Sequence, residues 1–297
     1  MWTSLKNKAK DLGFISLGIS RPIRPLYFDS FQRWISEHKH ADMRWLEKSI
    51  EKREDPSKLL KGCSAVISLA FPYSSEKPQT PDGFCAARYS SPQQEDYHRR
   101  LKKLCYELTE IITEAYAGSR FKVCVDSSPI MEKTLAISAG IGFMGKNTLL
   151  IIPGYGSYFF LAEILTTAPM EVQAQKPVGN LCGDCTRCID ACPTGALRGP
   201  FILDASRCLS YLSIEHKGKI RTDVARKMGR CFFGCDRCQE ACPFNNGKTG
   251  ADVSLPSTEE ILGMDDKAFQ TRFGNTALAR AGLEKIKSNL EAVKHCS

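Results

Sequence analysis

No apolar run in this chain is long enough to cross a bilayer as a helix: the greasiest segment, Tyr158 to Leu165, is short and is broken by Glu163. Residues Met1 to Phe14 mix lysines with scattered apolar positions and contain neither an apolar signal core nor a cleavage site. They read as an ordinary first helix, so the expected location is the cytoplasm, with no membrane partner. A reducing compartment in turn argues against disulfides, yet the chain carries 14 cysteines. Internal repeats are also lacking, apart from a paired cysteine motif. What remains is ordinary globular material: 297 residues, 42% hydrophobic and 25% charged, enough for one large unit and a smaller one. The net charge of +8 permits contact with a polyanion. It is partly local, since Phe201 to Arg230 holds seven Lys or Arg against three Asp or Glu.

The first 170 or so residues alternate helix and strand signals. From Glu95 to Tyr116, Leu101, Leu104, Cys105, Leu108, Ile111, Ile112 and Ala115 share one helical face. Strands are expected at Ala65 to Ala70, Phe121 to Val125, Thr148 to Ile152 and Tyr158 to Ile164. Ser128-Pro129 reads as a cap and first helical position, with a helix running to about Ala139 and stopping at Gly140. Asp126 then lies where a strand ends and a helix is about to begin, and its plainest role is to cap that helix. The pattern predicts an α+β chain with an α/β-layered domain over residues 1–172, a cysteine-rich domain over 173–250 and a short helical segment over 251–297. The polar stretch Glu171 to Asn180 links the first two, and the last stretch suggests two or three small helices.

The cysteines carry the chemistry. Cys182-x2-Cys185-x2-Cys188-x3-Cys192-Pro193 is the spacing of bacterial ferredoxins that hold two four-iron four-sulfur (4Fe–4S) clusters. Three thiolates on a tight loop wrap three corners of a cubane, and the fourth points away to the other cluster. Cys235-x2-Cys238-x3-Cys242-Pro243 is a second, incomplete copy. Two cubanes need eight thiolates; seven come from these runs, and either Cys208 or Cys231 supplies the eighth. Structural zinc also uses Cys-x2-Cys pairs but explains neither the rhythm nor the prolines. Cys63, Cys85, Cys105, Cys124 and Cys296 read as packing residues or bystanders.

Two glycine strings look like nucleotide-binding loops and are not. Gly140-x-Gly142-x-x-Gly145 and Gly140-x4-Gly145-Lys146-Asn147 both need a strand before and a helix after. Here the order is reversed, so the glycines mark close approach to a cofactor or to a neighbouring strand.

Several segments together resemble the epoxyqueuosine reductases. They are Glu51-Lys-Arg-Glu-Asp-Pro56, Arg88-Tyr89, Asp96-Tyr-His98, Asp126-Ser-Ser-Pro-Ile-Met-Glu132 and Ala139-Gly-Ile-Gly-Phe-Met-Gly-Lys-Asn147. Gly156-Ser-Tyr-Phe-Phe-Leu-Ala-Glu-Ile164, Tyr211-Leu-Ser-Ile-Glu-His-Lys-Gly218, Phe233-Gly-Cys-Asp-Arg-Cys238 and Cys242-Pro-Phe-Asn245 extend the match in order. The resemblance implies a fold related to reductive dehalogenases, with cobalamin and two 4Fe–4S clusters. The implied reaction is reduction of the epoxide of epoxyqueuosine at the tRNA wobble position, the last step to queuosine. It further implies that Cys208 is the eighth ligand. One cluster then sits on Cys182, Cys185, Cys188 and Cys242, the other on Cys192, Cys208, Cys235 and Cys238.

By the same resemblance Asp126 is the proton donor, its pKa raised by burial against the cofactor. Arg53, Tyr89, Lys146, Asn147 and Thr148 line the cobalamin pocket. His216 is assigned hydrogen bonding or RNA contact rather than cobalt ligation. Lys217, Lys219, Arg221, Arg226 and Lys227 are candidates to contact tRNA phosphates, the alternative being a solvated basic face. Other implied partners are an external one-electron donor such as flavodoxin or ferredoxin, with the chain acting as a monomer. Family members typically continue into C-terminal helical repeats, of which Phe273 to Ala292 resembles only the beginning. The competing readings are a reductive dehalogenase acting on a small molecule, an electron-transfer ferredoxin and a cobalamin-trafficking protein. The first usually carries a twin-arginine export signal and a longer cobalamin domain, the second has no need of the Asp126 or glycine loops, and the third does not call for two clusters.

Overall fold

The structure, a computed structural model, describes residues 1–92, 95–172, 178–245 and 253–296. Its centre is a four-stranded antiparallel sheet in the order Ser16–Ser20, Ala65–Pro72, Phe159–Thr166, Phe121–Cys124. Ala65 to Ala70 are buried without interruption, as in a strand covered on both faces. The two-residue side-chain period divides them. Ala65, Ile67 and Leu69 face the helices Trp2–Asp11 and Tyr97–Ala115, while Val66 and Ala70 face the helix Glu132–Ser138. The long helix buries Leu101, Cys105, Leu108 and Ile112 on the stripe read from the sequence. Each of its buried Leu or Ile side chains contributes about 1.5–3 kcal/mol.

The expected strands Ala65 to Ala70, Phe121 to Val125 and Tyr158 to Ile164 are present. Ser16–Ser20, small and partly polar, was not anticipated. Thr148 to Ile152 shortens to Leu150–Ile151, paired with Phe143–Met144, because Thr148 takes a left-handed φ of 66° that breaks the strand. This hairpin also explains the glycines. A Cβ on Gly142 would lie 2.3 Å from the Ile151 carbonyl oxygen, so the close neighbour there is a strand. We expect Gly142→Ala to cost about 1–3 kcal/mol, read as a lower denaturant midpoint with an unchanged slope.

The helix expected from Pro129 begins only at Glu132, with Met131 as its N-cap. Tight turns from Ser127 N–H to Val125 and from Ile130 N–H to Ser128 hold the intervening residues as a loop. Asp126 therefore does not cap that helix.

The proposed divisions at 172/173 and 250/251 fall on or beside residues 173–177 and 246–252, outside the described residues. Structurally the three segments interlock. A small sheet joins Cys231–Phe233 to Cys85–Ala86, Pro78–Gln79 and Val253–Ser254, one strand or more from each segment. The C-terminal helices Thr258–Gly263, Asp266–Phe273 and Leu283–Lys294 close a core that includes Phe84, Leu209, Phe232 and Phe233. Fully buried Asn289 ties the last helix down by donating to the Ser213 and Phe232 carbonyls. Among the described residues no helix is long and apolar enough to cross a membrane.

Candidate active site

The two cysteine runs fold as matching units. One-turn helices at Arg187–Asp190 and Arg237–Glu240 follow Cys185 and Cys235 and pack on each other. Cys182, Cys185, Cys188 and Cys242 line one cavity with Lys146, Asn147 and Phe244. A second set lies behind it. Burial pushes the Cys238 thiol well up, and the nearby Cys235 and Cys208 add to the effect. Burial raises Cys208 too, with Cys192 as its neighbour, and raises Cys235 to about 11 with Cys208 contributing. Cys208 thus keeps company with Cys192, Cys235 and Cys238. Cys231 is the register partner of Cys85 across the small sheet and shares with it a cavity that Cys235 also lines, while Cys192, Cys208 and Cys238 do not line that cavity. Among the described residues no group of three or more His, Cys, Asp or Glu gathers around a single-ion site.

A cavity of about 280 Å³ opens beside this module, walled by Tyr89, Tyr97, His98, Asp126, Glu215 and Arg280 among others. Asp126 ends its strand with a left-handed φ of 54°, a conformation Asp tolerates better than most residues. Its Oδ2 accepts from Tyr97 Oη at 2.7 Å and lies 3.1 Å from His98 Nε2 and 3.7 Å from Arg280 Nη1. Stacking on Phe160 at 4.1 Å holds the Tyr97 ring. His98 is clamped at both nitrogens, with Nδ1 2.8 Å from Asp96 Oδ1. Only the imidazolium donates to both carboxylates.

This electrostatics corrects one expectation. Burial alone would raise the Asp126 carboxyl, but hydrogen bonds from His98 and Tyr97 and the charges of His98 and Arg280 hold it below its usual range. Burial opposes protonation of His98, yet Asp126 and Asp96 outweigh it and raise its pKa above 6.5. The sign follows directly. The pair's stabilisation is complete below pH 6.5 on the histidine side and is lost as pH rises through the higher folded value. On the aspartate side it is present above pH 3.8 and is lost as pH falls through the lowered folded value. Between those limits the pair carries one shared proton. An NMR titration should place the His98 midpoint above 6.5, and Asp126→Asn should bring it down; a midpoint unmoved by that change would break the coupling.

Glu132, not singled out from sequence, is a further part. Its Oε1 accepts the Asp126 backbone N–H at 2.6 Å and so holds the loop. Burial, then the charge of Asp126, pushes its carboxyl up to about 8. Deeper still, Glu163 is fully buried beside its strand partner Ser68, and burial raises it well above the usual carboxylate range.

Of the other residues expected here, Tyr89 lines the cavity and packs on Phe233, two positions before Cys235. Arg53 forms no ion pair with Glu51 or Asp55 among the described contacts. It lies over the Phe31 ring with Nη1 3.4 Å from the Ile130 carbonyl, and its Nε is buried without a partner. Lys146 and Asn147 stand apart from the Asp126 cavity: Lys146 donates to the Gly183 carbonyl and Asn147 to that of Cys238. The Thr148 carbonyl accepts from Lys133. His216 lies 3.5 Å from Asp42. Lys217, Lys219, Arg221, Arg226 and Lys227 are all exposed, and Arg221 pairs with Asp223 at 3.0 Å. Tyr97 and His98 carried a signal in the Asp96-Tyr-His98 motif; Arg280, some 150 residues from Asp126 in sequence, carried none.

Thiol sets of this spacing beside a carboxylate–imidazole cavity define a double-cluster redox enzyme. Residues 181–245 match the family described as a 4Fe-4S double cluster binding domain. Residues 53–127 match the family described as epoxyqueuosine reductase QueG, DUF1730. The chain is 35% identical to the epoxyqueuosine reductase of Pseudomonas aeruginosa, over 97% of this chain and 83% of that one. It is also 35% identical to that of Leadbetterella byssophila, over 98% of this chain and 97% of the relative, so a relative of nearly the same extent exists. The chain belongs to the epoxyqueuosine reductase family. A crystal structure of an epoxyqueuosine reductase with an epoxyqueuosine-modified tRNA stem loop superposes with a TM-score of 0.88 at 29% identity, covering 99% of this chain and 81% of that one. A catabolic reductive dehalogenase shares the fold, at a TM-score of 0.51 and 13% identity over 98% of this chain and 36% of that one.

Proposed function

We propose that this protein reduces the epoxide of epoxyqueuosine in tRNA to the alkene of queuosine, using cobalamin and two 4Fe–4S clusters. The observation that carries the reading is Asp126 Oδ2 set 2.7 Å from Tyr97 Oη and 3.1 Å from His98 Nε2 in a cavity that also reaches the end of the helix following Cys208. The helix Leu209–Ile214 starts at Cys208, and its far end, with Glu215, walls the cavity. The clusters would be held by Cys182, Cys185, Cys188 and Cys242 and by Cys192, Cys208, Cys235 and Cys238.

The residues present fit a large cofactor rich in polar substituents. Buried Arg53 Nε has no partner, the kind of stranded donor that a bound amide or phosphate satisfies. Arg53 and Tyr89, with Asp126, are the groups proposed to hold cobalamin; Lys146 and Asn147, which line the cavity of the first cysteine set, would meet it only where it borders that module. When bound, cobalamin supplies a strongly reducing metal centre that accepts electrons singly. The chain supplies the protons. Epoxide to alkene consumes two electrons and two protons and releases water. Asp126 is placed to pass the proton held by His98 to the epoxide oxygen across the 3.1 Å contact, and the second proton follows by the same route once solvent has recharged His98. Tyr97 fixes the carboxylate, and Glu132 fixes the backbone beneath it.

The exposed Lys217, Lys219, Arg221, Arg226 and Lys227 are offered to tRNA phosphates, and an external one-electron donor protein completes the cycle. The test is anaerobic reconstitution followed by incubation with cobalamin and an epoxyqueuosine-bearing anticodon stem-loop. About eight irons per chain, retained corrin absorption and conversion to queuosine are expected. Protein that resists loading with iron and sulfide, or that reduces a small organohalide but not the stem-loop, overturns the proposal. Affinity for the stem-loop should fall as salt rises, with a logarithmic slope of about −0.7 to −0.9 per phosphate contacted.

A further inference from the structure

Cys85 and Cys231 are left over by the cluster assignment, and the fold brings them together from nearly 150 residues apart. They are register partners on the parallel strands Cys85–Ala86 and Cys231–Phe233. The Cys85 and Ala87 amides donate to the Arg230 and Phe233 carbonyls at 2.9 and 2.7 Å, so the strands are locked on both sides of the pair. Adjacent strands lie about 4.8 Å apart, within the range of Cα separations a disulfide spans. Both thiols line one cavity of about 240 Å³, together with Lys77, Cys235, Asp236 and Glu240. Both are partly exposed, unlike the fully buried Cys105 and Cys124.

We propose that Cys85 and Cys231 form a reversible dithiol–disulfide site beside the second cluster, open to small disulfide oxidants of the glutathione class. Cys85 is the attacking thiol. The neighbouring Cys231 thiol, aided by Lys77 and opposed by burial, draws its pKa below the usual thiol range. The proximity of Cys85, and then burial, holds Cys231 well above that range, as suits the resolving partner. The Cys85 thiolate attacks the oxidant's disulfide, forming a mixed disulfide and releasing one thiolate. Cys231 then displaces the second thiol, its proton leaving with that group. Two protein thiols are oxidised by two electrons and one small disulfide is reduced to two thiols.

The position gives the site a consequence. Cys231 Sγ lies 3.6 Å from both the Phe233 and Gly234 carbonyls, and Gly234 immediately precedes Cys235. Closing the disulfide removes the Cys231 thiol proton from this corner and fixes the strand that delivers Cys235. This consequence rests on Cys235 being a cluster ligand; formation of the disulfide does not.

The experiment treats the cluster-loaded full chain anaerobically with oxidised glutathione and maps disulfides by mass spectrometry. The expected product is a Cys85–Cys231 linked peptide that dithiothreitol reverses, with iron unchanged and iodoacetamide labelling of Cys85 reduced at least about tenfold. Cys85→Ser and Cys231→Ser should each abolish the link while retaining about eight irons. The proposal is overturned if both thiols remain freely alkylated, if the link appears only after iron is lost, or if Cys231→Ser sheds one cluster. Iron content reports on the cluster reading separately, since the link is scored by peptide mass alone.

Discussion

Asp126→Asn should retain both clusters and the corrin spectrum and lose about 10²- to 10⁴-fold in the rate of epoxide reduction, the usual contribution of a positioned general acid. The substitution is close to isosteric. Its amide oxygen can still accept from Tyr97 Oη, now at 2.7 Å, so the loop has every reason to stay in place. What disappears is a group that can take a proton from His98 and give it up. The protein's own electrostatics sharpens the expectation. With His98 raised and Asp126 lowered, a proton shared by the pair sits on the imidazole rather than on the carboxylate. Activity should decline as pH rises through the His98 value, because the pair then holds no proton to deliver. In Asp126→Asn that alkaline limb should vanish along with the rate. Activity above about a tenth of the parent, with the limb intact, would remove Asp126 from the chemistry.

Cys208→Ser should cost an entire cluster, dropping iron from about eight to about four per chain and abolishing turnover. A cubane has four corners to ligate, and a serine hydroxyl is a poor replacement for a thiolate on iron. Half-buried Cys208 lies with Cys192, Cys235 and Cys238, so loss of its cluster would leave the other three thiols without the iron that gathers them. The paired control is Cys231→Ser, which should keep the full iron complement because Cys231 faces Cys85 instead. Sequence spacing alone left these two cysteines as equal candidates. Iron analysis of the two variants separates them, and the reverse result would exchange their roles.

The two cysteine runs were legible because cluster ligation is a local problem: three thiolates must come from one tight loop, and that demand is written as spacing. The long helix and three of the four central strands were legible for a similar reason, since burial of a stripe or of alternate residues imposes its period on the chain. Boundaries were read less well. Pro129 looked like a helix start, but Glu132 accepts the Asp126 amide and holds residues 127–131 as a loop. Thr148 looked like part of a strand until its left-handed backbone ended the pairing.

The sequence by itself determined the cofactor class of the second half, the identity of the acidic residue at the strand end and the family. Tertiary structure decided what that acid is. Its neighbours come from the start of the long helix and, in Arg280, from the C-terminal segment. No spacing rule connects those positions, because their meeting depends on how separate elements pack. For the same reason only the fold could show that the Asp126 carboxyl is drawn down rather than pushed up, that Cys208 lies with Cys192, Cys235 and Cys238, and that Cys231 faces Cys85. A pKa and a thiol pairing are set by distances through space, and a chain of residues records those only after it has folded.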